Sequence, residues 1–354
     1  MDTTIDFTRV EMFAGQLATE LGAALNAALI DIGDRVGLYR AMADGAAVGA
    51  GELAERTGTH ERYVREWLNA QAAGGIVAYE PGDDTYTLPL EHAAVLADEE
   101  GPAFLIGHFQ SAVAAIEARE RIAECFRTGE GMPWGEHSAH VCVGTERGFK
   151  TAYRHQLLDA WLPALDGVVA RLQAGARVLD VGCGHGASTI LMAEAFPASA
   201  FVGVDSHAGS IEVARERAAE AGVGDRVTFI TGTAQELEGE GYDLVGFFDA
   251  LHDMGDPVGA AERARAVLAP GGTCLVVEPF AADRIEDNLN PVGRMMYGFS
   301  TLLCTPGSLS QPGRAGLGTQ AGPARLAEVL RAGGFESVRT AAETPFNLII
   351  EAKA

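Results

Sequence analysis

Downstream of Arg177 the chain alternates between short apolar runs and longer stretches whose apolar residues recur every three or four positions. The runs "ARVLDVG", "AFVGVD", "RVTFITG", "YDLVGFFD" and "TCLVVEP" have the length and the flanking turn residues of buried strands. The stretches "ASTILMAEAF", "GSIEVARERAAEAG" and "GAAERARAVLA" between them have the rhythm of amphipathic helices. This alternation builds a parallel sheet covered by helices. The tail "ESVRTAAETPFNLIIEAKA" follows a helix at "PARLAEVLRAGG" and reads as two more strands joined by a short turn. The expected fold is α/β and Rossmann-like, with seven strands of which the last two form an antiparallel hairpin.

Upstream the rhythm is different. In "ALIDIGDRVGLYRAM", Leu29, Ile32, Val36 and Tyr39 fall on one helical face. "GELAERTG" is a short helix closed by Gly58, after which Thr59 is placed to cap a helix whose Tyr63, Val64, Trp67, Leu68 and Gln71 share a face. "IVAYEPGDDTYTLP" then reads as two strands around a turn. Helices followed by a hairpin make a winged helix. The expected organisation is a winged-helix domain over 1–98, a helical linker over 99–170 broken at "GEGMPWGEHSAH", and the α/β domain over 171–354 with a cap insert at 281–320. In the insert, Asn290 can cap a helix that Pro291 begins, and Val292, Met295, Met296, Phe299 and Leu302 line one face.

Charge narrows the partners. The formal charge is −23, from 26 Lys and Arg against 49 Asp and Glu, so phosphate backbones and anionic membranes are disfavoured. The helix in the recognition position, 60–72, sets Glu61 and Glu66 beside Arg62 and Arg65. The five cysteines show no C-x-x-C pair, the start "MDTTIDFTRVEMF" lacks signal-peptide features, and no apolar run could span a bilayer. A cytoplasmic protein that binds neither nucleic acid nor membrane is expected. His137, His140 and Cys142 have the only metal-like spacing, in a loop with no acidic partner, so no metal is expected.

The first strand of the sheet runs into "LDVGCGHGAST", with Asp180, Gly182, Gly184 and Gly186 at alternate positions. Glycines at a strand-to-helix turn let a ligand approach the backbone. The spacing is not the dinucleotide G-x-G-x-x-G, and Asp180 would repel a pyrophosphate. A cofactor with a cationic amino-acid end fits better. Asp205 ends the second strand, where acidic residues accept ribose hydroxyls. Thr233, Ala234 and Gln235 follow the third, where they could meet an adenine edge.

With "LAPGG" at 268–272, these landmarks resemble the class I S-adenosylmethionine-dependent methyltransferases. The resemblance implies S-adenosylmethionine as cofactor, its methionine part against Asp180, Gly182, Cys183, Gly184 and Gly186. It places the ribose at Asp205, the adenine at Thr233, Ala234 and Gln235, Ser206 and Gly232 among the cofactor-binding residues, and Phe248 and Asp249 at the closing edge. Cys183 reads as a small apolar filler. A winged helix ahead of this sheet resembles plant-type and bacterial small-molecule O-methyltransferases, and most closely an actinomycete group whose substrates are generally unassigned. In such enzymes the N-terminal domain forms a homodimer and helps close the substrate cavity.

Methyl transfer to a hydroxyl is an in-line displacement that also needs a proton acceptor. His252, in "DALHDMGD" just beyond Phe248, occupies the place of the base in the plant-type enzymes, with Glu278 or Asp253 as the residue that orients it. Phe13, His108, Trp134, Tyr153, Arg294 and Tyr297 are candidates to meet a small, largely apolar acceptor. Other readings stand beside this one: N- or C-methylation with His252 only positioning the acceptor, a winged-helix regulator that senses S-adenosylmethionine, and a reaction that uses the cofactor only electrostatically.

Overall fold

Asp6 opens α1 (Phe7–Arg35) by accepting the backbone N–H groups of Thr8 and Arg9. The computed structural model describes residues 5–354. The chain divides into two compact units: the residues up to Val113 together with Val143–Thr151, and Ala114–Cys142 together with Ala152–Ala354. Segment 99–170 is thus shared between the two.

In the first unit α1 is followed by α2 (Leu38–Ala41), α3 (Ala50–Thr57) and α4 (Glu61–Ala73), then by the wing strands β1 (Ala78–Glu80) and β2 (Thr85–Thr87). Several details depart from the sequence reading. Gly37, at φ 78°, breaks the helix before Tyr39, so the expected Leu29–Ile32–Val36–Tyr39 face does not form. Ile30, Asp31, Gly33 and Asp34 are buried instead, while Ile32 and Val36 are exposed. Only glycine fits at position 33, where a Cβ would stand 2.6 Å from the Trp67 ring. His60 rather than Thr59 caps α4, its Nδ1 accepting from Arg62 N–H, because the Thr59 hydroxyl pairs with Thr57. Tyr63 points to solvent, and Val64, Trp67, Leu68 and Gln71 form the buried face.

The second unit holds a seven-stranded sheet: β3 (Arg177–Val181), β4 (Ala200–Asp205), β5 (Val227–Thr231), β6 (Tyr242–Phe248), β7 (Leu268–Pro279), β8 (Ser337–Glu343) and β9 (Asn347–Lys353). Its order is β5-β4-β3-β6-β7-β9-β8. The first five strands are parallel, and β9 pairs antiparallel with both β7 and β8. The order reverses between β3 and β6, where open α/β sheets bind ligands at their carboxyl ends. Strand β7 begins earlier than its apolar run suggested. It takes in "LAPGG" because Leu268 pairs with Tyr242 before the register shifts and Thr273 pairs with Leu244. The core lies between the sheet and its flanking helices, among Val181, Val245, Phe247, Ala261, Val276 and Leu330.

Candidate active site

The glycine loop is shaped by its backbone. Gly182 has φ 80°, and a Cβ there would lie 2.6 Å from the Ala250 Cβ, so only glycine lets the loop rest on the turn after β6. Gly184 is different: a Cβ there meets no protein atom within 4 Å, so this side of the loop faces open space. The Gly184 N–H donates to Asp205 Oδ2 at 2.9 Å, which ties the loop to the end of β4. Asp205 Oδ1 accepts from His207 N–H, and its backbone carbonyl accepts from Gly232 N–H.

Asp180 is fully buried. Its Oδ2 accepts from the hydroxyls of Ser188 and Thr189, both at 2.6 Å, fastening the helix Ala187–Ala195 to the end of β3. Oδ1 has no partner among the described residues. Burial pushes the carboxyl pKa up to about 6 against the pull of the two hydroxyls. Neither hydroxyl was singled out in the sequence, although "GAST" places both on the first turn after the loop. Cys183 is buried, and burial raises its thiol pKa well above the usual value, as expected of a filler.

Thr233 caps the turn Ala234–Glu236 and exchanges bonds with Glu236. Ala234 is buried, and Gln235 Nε2 donates to the Asp256 carbonyl at 3.3 Å. Ser206 is exposed at the turn after β4. The carboxyl ends of neighbouring strands thus carry the glycine loop, Asp205 and the Thr233 turn side by side. An open glycine cradle above an orphaned buried oxygen suits a ligand with polar and cationic groups, and S-adenosylmethionine is such a ligand.

His252 lies in the single turn Leu251–Asp253, only 3% exposed. Because Phe248 pairs with Val277, Glu278 stands beside this turn. His252 Nδ1 meets Glu278 Oε2, and the His252 backbone N–H donates to Oε1 at 3.2 Å. Nε2 lies 3.2 Å from Asp253 Oδ1. Both acids named in the sequence reading therefore flank the imidazole, one at each ring nitrogen. Burial alone would lower its pKa, but Glu278, then Asp253 and Cys304, hold it well above the usual imidazole value. Burial raises the Asp253 pKa, opposed by His252, by Cys304 and by the Trp134 indole.

Cys304 was not foreseen, since it ends an apolar helical stripe with no polar pattern. Burial, reinforced by Asp253, lifts its thiol pKa to about 12. Ligand atoms of His252, Asp253 and Cys304 lie within 4.8 Å of one another, the one such triple among the described residues; His137, His140 and Cys142 do not form one. Gln311 also escaped the sequence reading. Its Nε2 donates to the Asp253 carbonyl at 2.8 Å and its Oε1 accepts from Gly255 N–H at 3.2 Å, while Ser308 Oγ donates to the Met254 carbonyl. The insert therefore grips the turn that carries His252.

Of the expected substrate residues, Tyr153 stacks edge-on against Phe248 with ring centroids 5.8 Å apart, and Trp134 reaches Asp253. Arg294 is exposed and Tyr297 half-buried on the helix Pro291–Phe299, which Asn290 caps as expected. Phe13 and His108 belong to the first unit: Phe13 is exposed on α1, and the His108 ring sits against Phe149.

The sheet order, the glycine loop and the acidic strand ends define a class I methyltransferase domain. Residues 172–305 match the family described as "Methyltransferase domain", and residues 23–98 match the "Rv2258c-like winged HTH domain". The chain thus carries a methyltransferase domain over residues 172–305 and a winged helix-turn-helix domain over residues 23–98. Among curated relatives, the 27-O-demethylrifamycin SV methyltransferase of Amycolatopsis mediterranei (strain S699) is 32% identical over 169 residues; the match spans 46% of this chain and 60% of that protein. The mitomycin biosynthesis 6-O-methyltransferase of Streptomyces lavendulae is 26% identical over 277 residues, 75% of this chain and 77% of the relative. Human N-acetylserotonin methyltransferase, solved in complex with S-adenosylmethionine, shares the fold with a TM-score of 0.70 at 15% identity, covering 100% of this chain and 99% of that one. Among the described residues no helix is long and apolar enough to cross a membrane.

Proposed function

We propose that the protein transfers the methyl group of S-adenosylmethionine to a hydroxyl oxygen of a small, largely apolar molecule in the cytoplasm, with His252 as proton acceptor. The observation that carries this reading is the His252–Glu278 pair at the carboxyl edge of β6 and β7, joined through Ala250 to the glycine loop. The cofactor, when bound, supplies a methyl group on a positively charged sulfur. The chain supplies the rest. Asp180, the 182–186 loop, Asp205 with Ser206, and the 232–235 turn hold the cofactor. Glu278 at Nδ1 fixes the imidazole, and Nε2, on the side of Asp253 Oδ1, is the nitrogen left to take the acceptor's proton. Phe248, Tyr153 and Trp134 offer an aromatic wall, and Arg294 and Tyr297 are the further residues of the same unit assigned to the acceptor. The mitomycin relative is likewise named for O-methylation. The test is incubation with S-adenosylmethionine and a panel of phenols, matched anilines and carbon acids, read by mass spectrometry. A single methyl gained by phenols is expected. Gain by the anilines or carbon acids alone would move the reaction to nitrogen or carbon and leave His252 a positioning residue.

The first domain supports dimerisation better than DNA binding. On α4, Arg62 pairs with Glu66, and Arg65 pairs with Glu61 and Asp84, so its cations are already neutralised. On α1, by contrast, Val10, Phe13, Leu17, Leu21 and Leu25 form an apolar stripe, with Leu21 and Leu25 each 63% exposed. Burying each such side chain is worth about 1.5–3 kcal/mol, which a partner helix would supply. Light scattering at micromolar concentration should give twice the chain mass. Leu17→Glu with Leu21→Glu should give the single mass, and a monomeric wild type would rule the homodimer out.

A further inference from the structure

One buried group in the site has no work assigned to it by the proton-acceptor reading. Asp249, on the turn after β6, is 9% exposed, and neither carboxyl oxygen has a hydrogen-bond partner among the described residues. Its backbone sits at φ 52°, the left-handed region that costs a residue with a Cβ about 1–2 kcal/mol. The conformation is held because Asp249 N–H donates to the Val277 carbonyl of β7 at 2.8 Å. Strain and an orphaned carboxyl at the same residue mark a position kept for a ligand.

The surrounding charges say what kind of ligand. Glu278 from β7 already serves His252 Nδ1, and Asp253 on the His252 turn stands at Nε2, with Cys304 of the insert beside them. Asp249 is a further acid beside a single imidazole, so its negative charge is left without a match. Burial, with Glu278 and Asp253 adding to it and His252 opposing, raises the Asp249 pKa well above the carboxylate range. A buried carboxyl with neither oxygen partnered is costly to keep charged alone, so a cation placed beside it is favoured. The next residue, Ala250, packs against Gly182 of the glycine loop, and His252 acts on Asp249 through its charge, so Asp249 stands between the loop and the imidazole along the chain.

We propose that Asp249 is the counter-ion of the cofactor's sulfonium: it gives its proton to solvent as S-adenosylmethionine binds and takes one back once the neutral thioether product remains. The inference rests on the functional reading above and deepens it. Tight binding of the charged donor and easy release of the uncharged product follow from one carboxyl group. The protons balance, since the one lost on binding goes to buffer and the one regained comes from it.

Calorimetric titration in two buffers of different ionisation enthalpy tests this without turnover. Wild type at neutral pH should release about one more proton with S-adenosylmethionine than with S-adenosylhomocysteine. Asp249→Asn keeps the shape and tolerates the left-handed backbone. It should lose that difference and bind S-adenosylmethionine tenfold or more weakly while its affinity for S-adenosylhomocysteine is kept. His252→Gln should retain the proton difference. Equal weakening of both ligands in Asp249→Asn overturns the proposal. So does a proton difference that survives in Asp249→Asn and vanishes in His252→Gln, which would make the imidazolium its source. If wild type binds neither ligand, the functional reading itself falls, and this inference with it.

Discussion

Replacing His252 with glutamine should lower turnover of a hydroxyl acceptor by about 10²–10⁴-fold, the usual contribution of a positioned base, with no loss of affinity for S-adenosylmethionine. Glutamine is chosen because its amide can still donate to Glu278. Alanine would leave that buried carboxylate with only the backbone N–H and no cation beside it, at a cost of up to about 3–5 kcal/mol that would confuse catalysis with folding. The pH profile gives the sign. A base must be neutral to accept a proton, and Glu278, Asp253 and Cys304 hold the imidazole's pKa well above its ordinary value despite burial. Activity should therefore rise with pH along a limb lying above about 6.5, the unperturbed value. Glu278→Gln removes the stronger of the two acidic neighbours and should move that limb to lower pH. Near-normal turnover in His252→Gln would end the base role and leave His252 as a positioning residue.

Gly184→Val should weaken S-adenosylmethionine binding by about 100-fold or more, equivalent to about 2.7 kcal/mol. A Cβ at Gly184 meets no protein atom within 4 Å, so the valine branches extend from the open face of the loop, where the cofactor is proposed to bind. The φ of 51° adds local strain, which a β-branched residue tolerates poorly. Thermal melting separates the two effects. Gly182→Val, whose Cβ runs into Ala250, should melt well below wild type, whereas Gly184→Val should lose far less stability than affinity. Unchanged cofactor affinity in a folded Gly184→Val protein would place the cofactor elsewhere.

The middle of the sheet was legible because β3, β6 and most of β7 are buried on both faces and read as unbroken apolar runs, whereas β5 and β8 carry exposed positions. Asp180, Asp205 and His252 announced themselves by position. What the sequence concealed depends on contacts between distant segments. Glu278 and Asp253 stood as equal candidates beside His252, and only the parallel register of β6 against β7 puts Glu278 on Nδ1 and leaves Asp253 to Nε2. Cys304 and Gln311 come from an insert whose apolar periodicity says nothing of where its polar ends land. In the first unit, the period of α1 ran past Gly37 because apolar spacing alone takes no account of a left-handed glycine. Thr59 lost the cap to His60 through a local pairing with Thr57 that residue preference does not foresee.

Gln311 joins two jobs that enzymes of changing taste would do better to keep apart. One side chain of the insert bridges Asp253 and Gly255, so the segment proposed to cover the acceptor also holds the turn that carries the imidazole. An insert borrowed from a relative brings a new wall, and without a glutamine in this place it loosens the base at the same stroke. On the proposed reading, breadth of acceptor and rate of reaction would be drawn from the same few hydrogen bonds, and selection for one would act on the other.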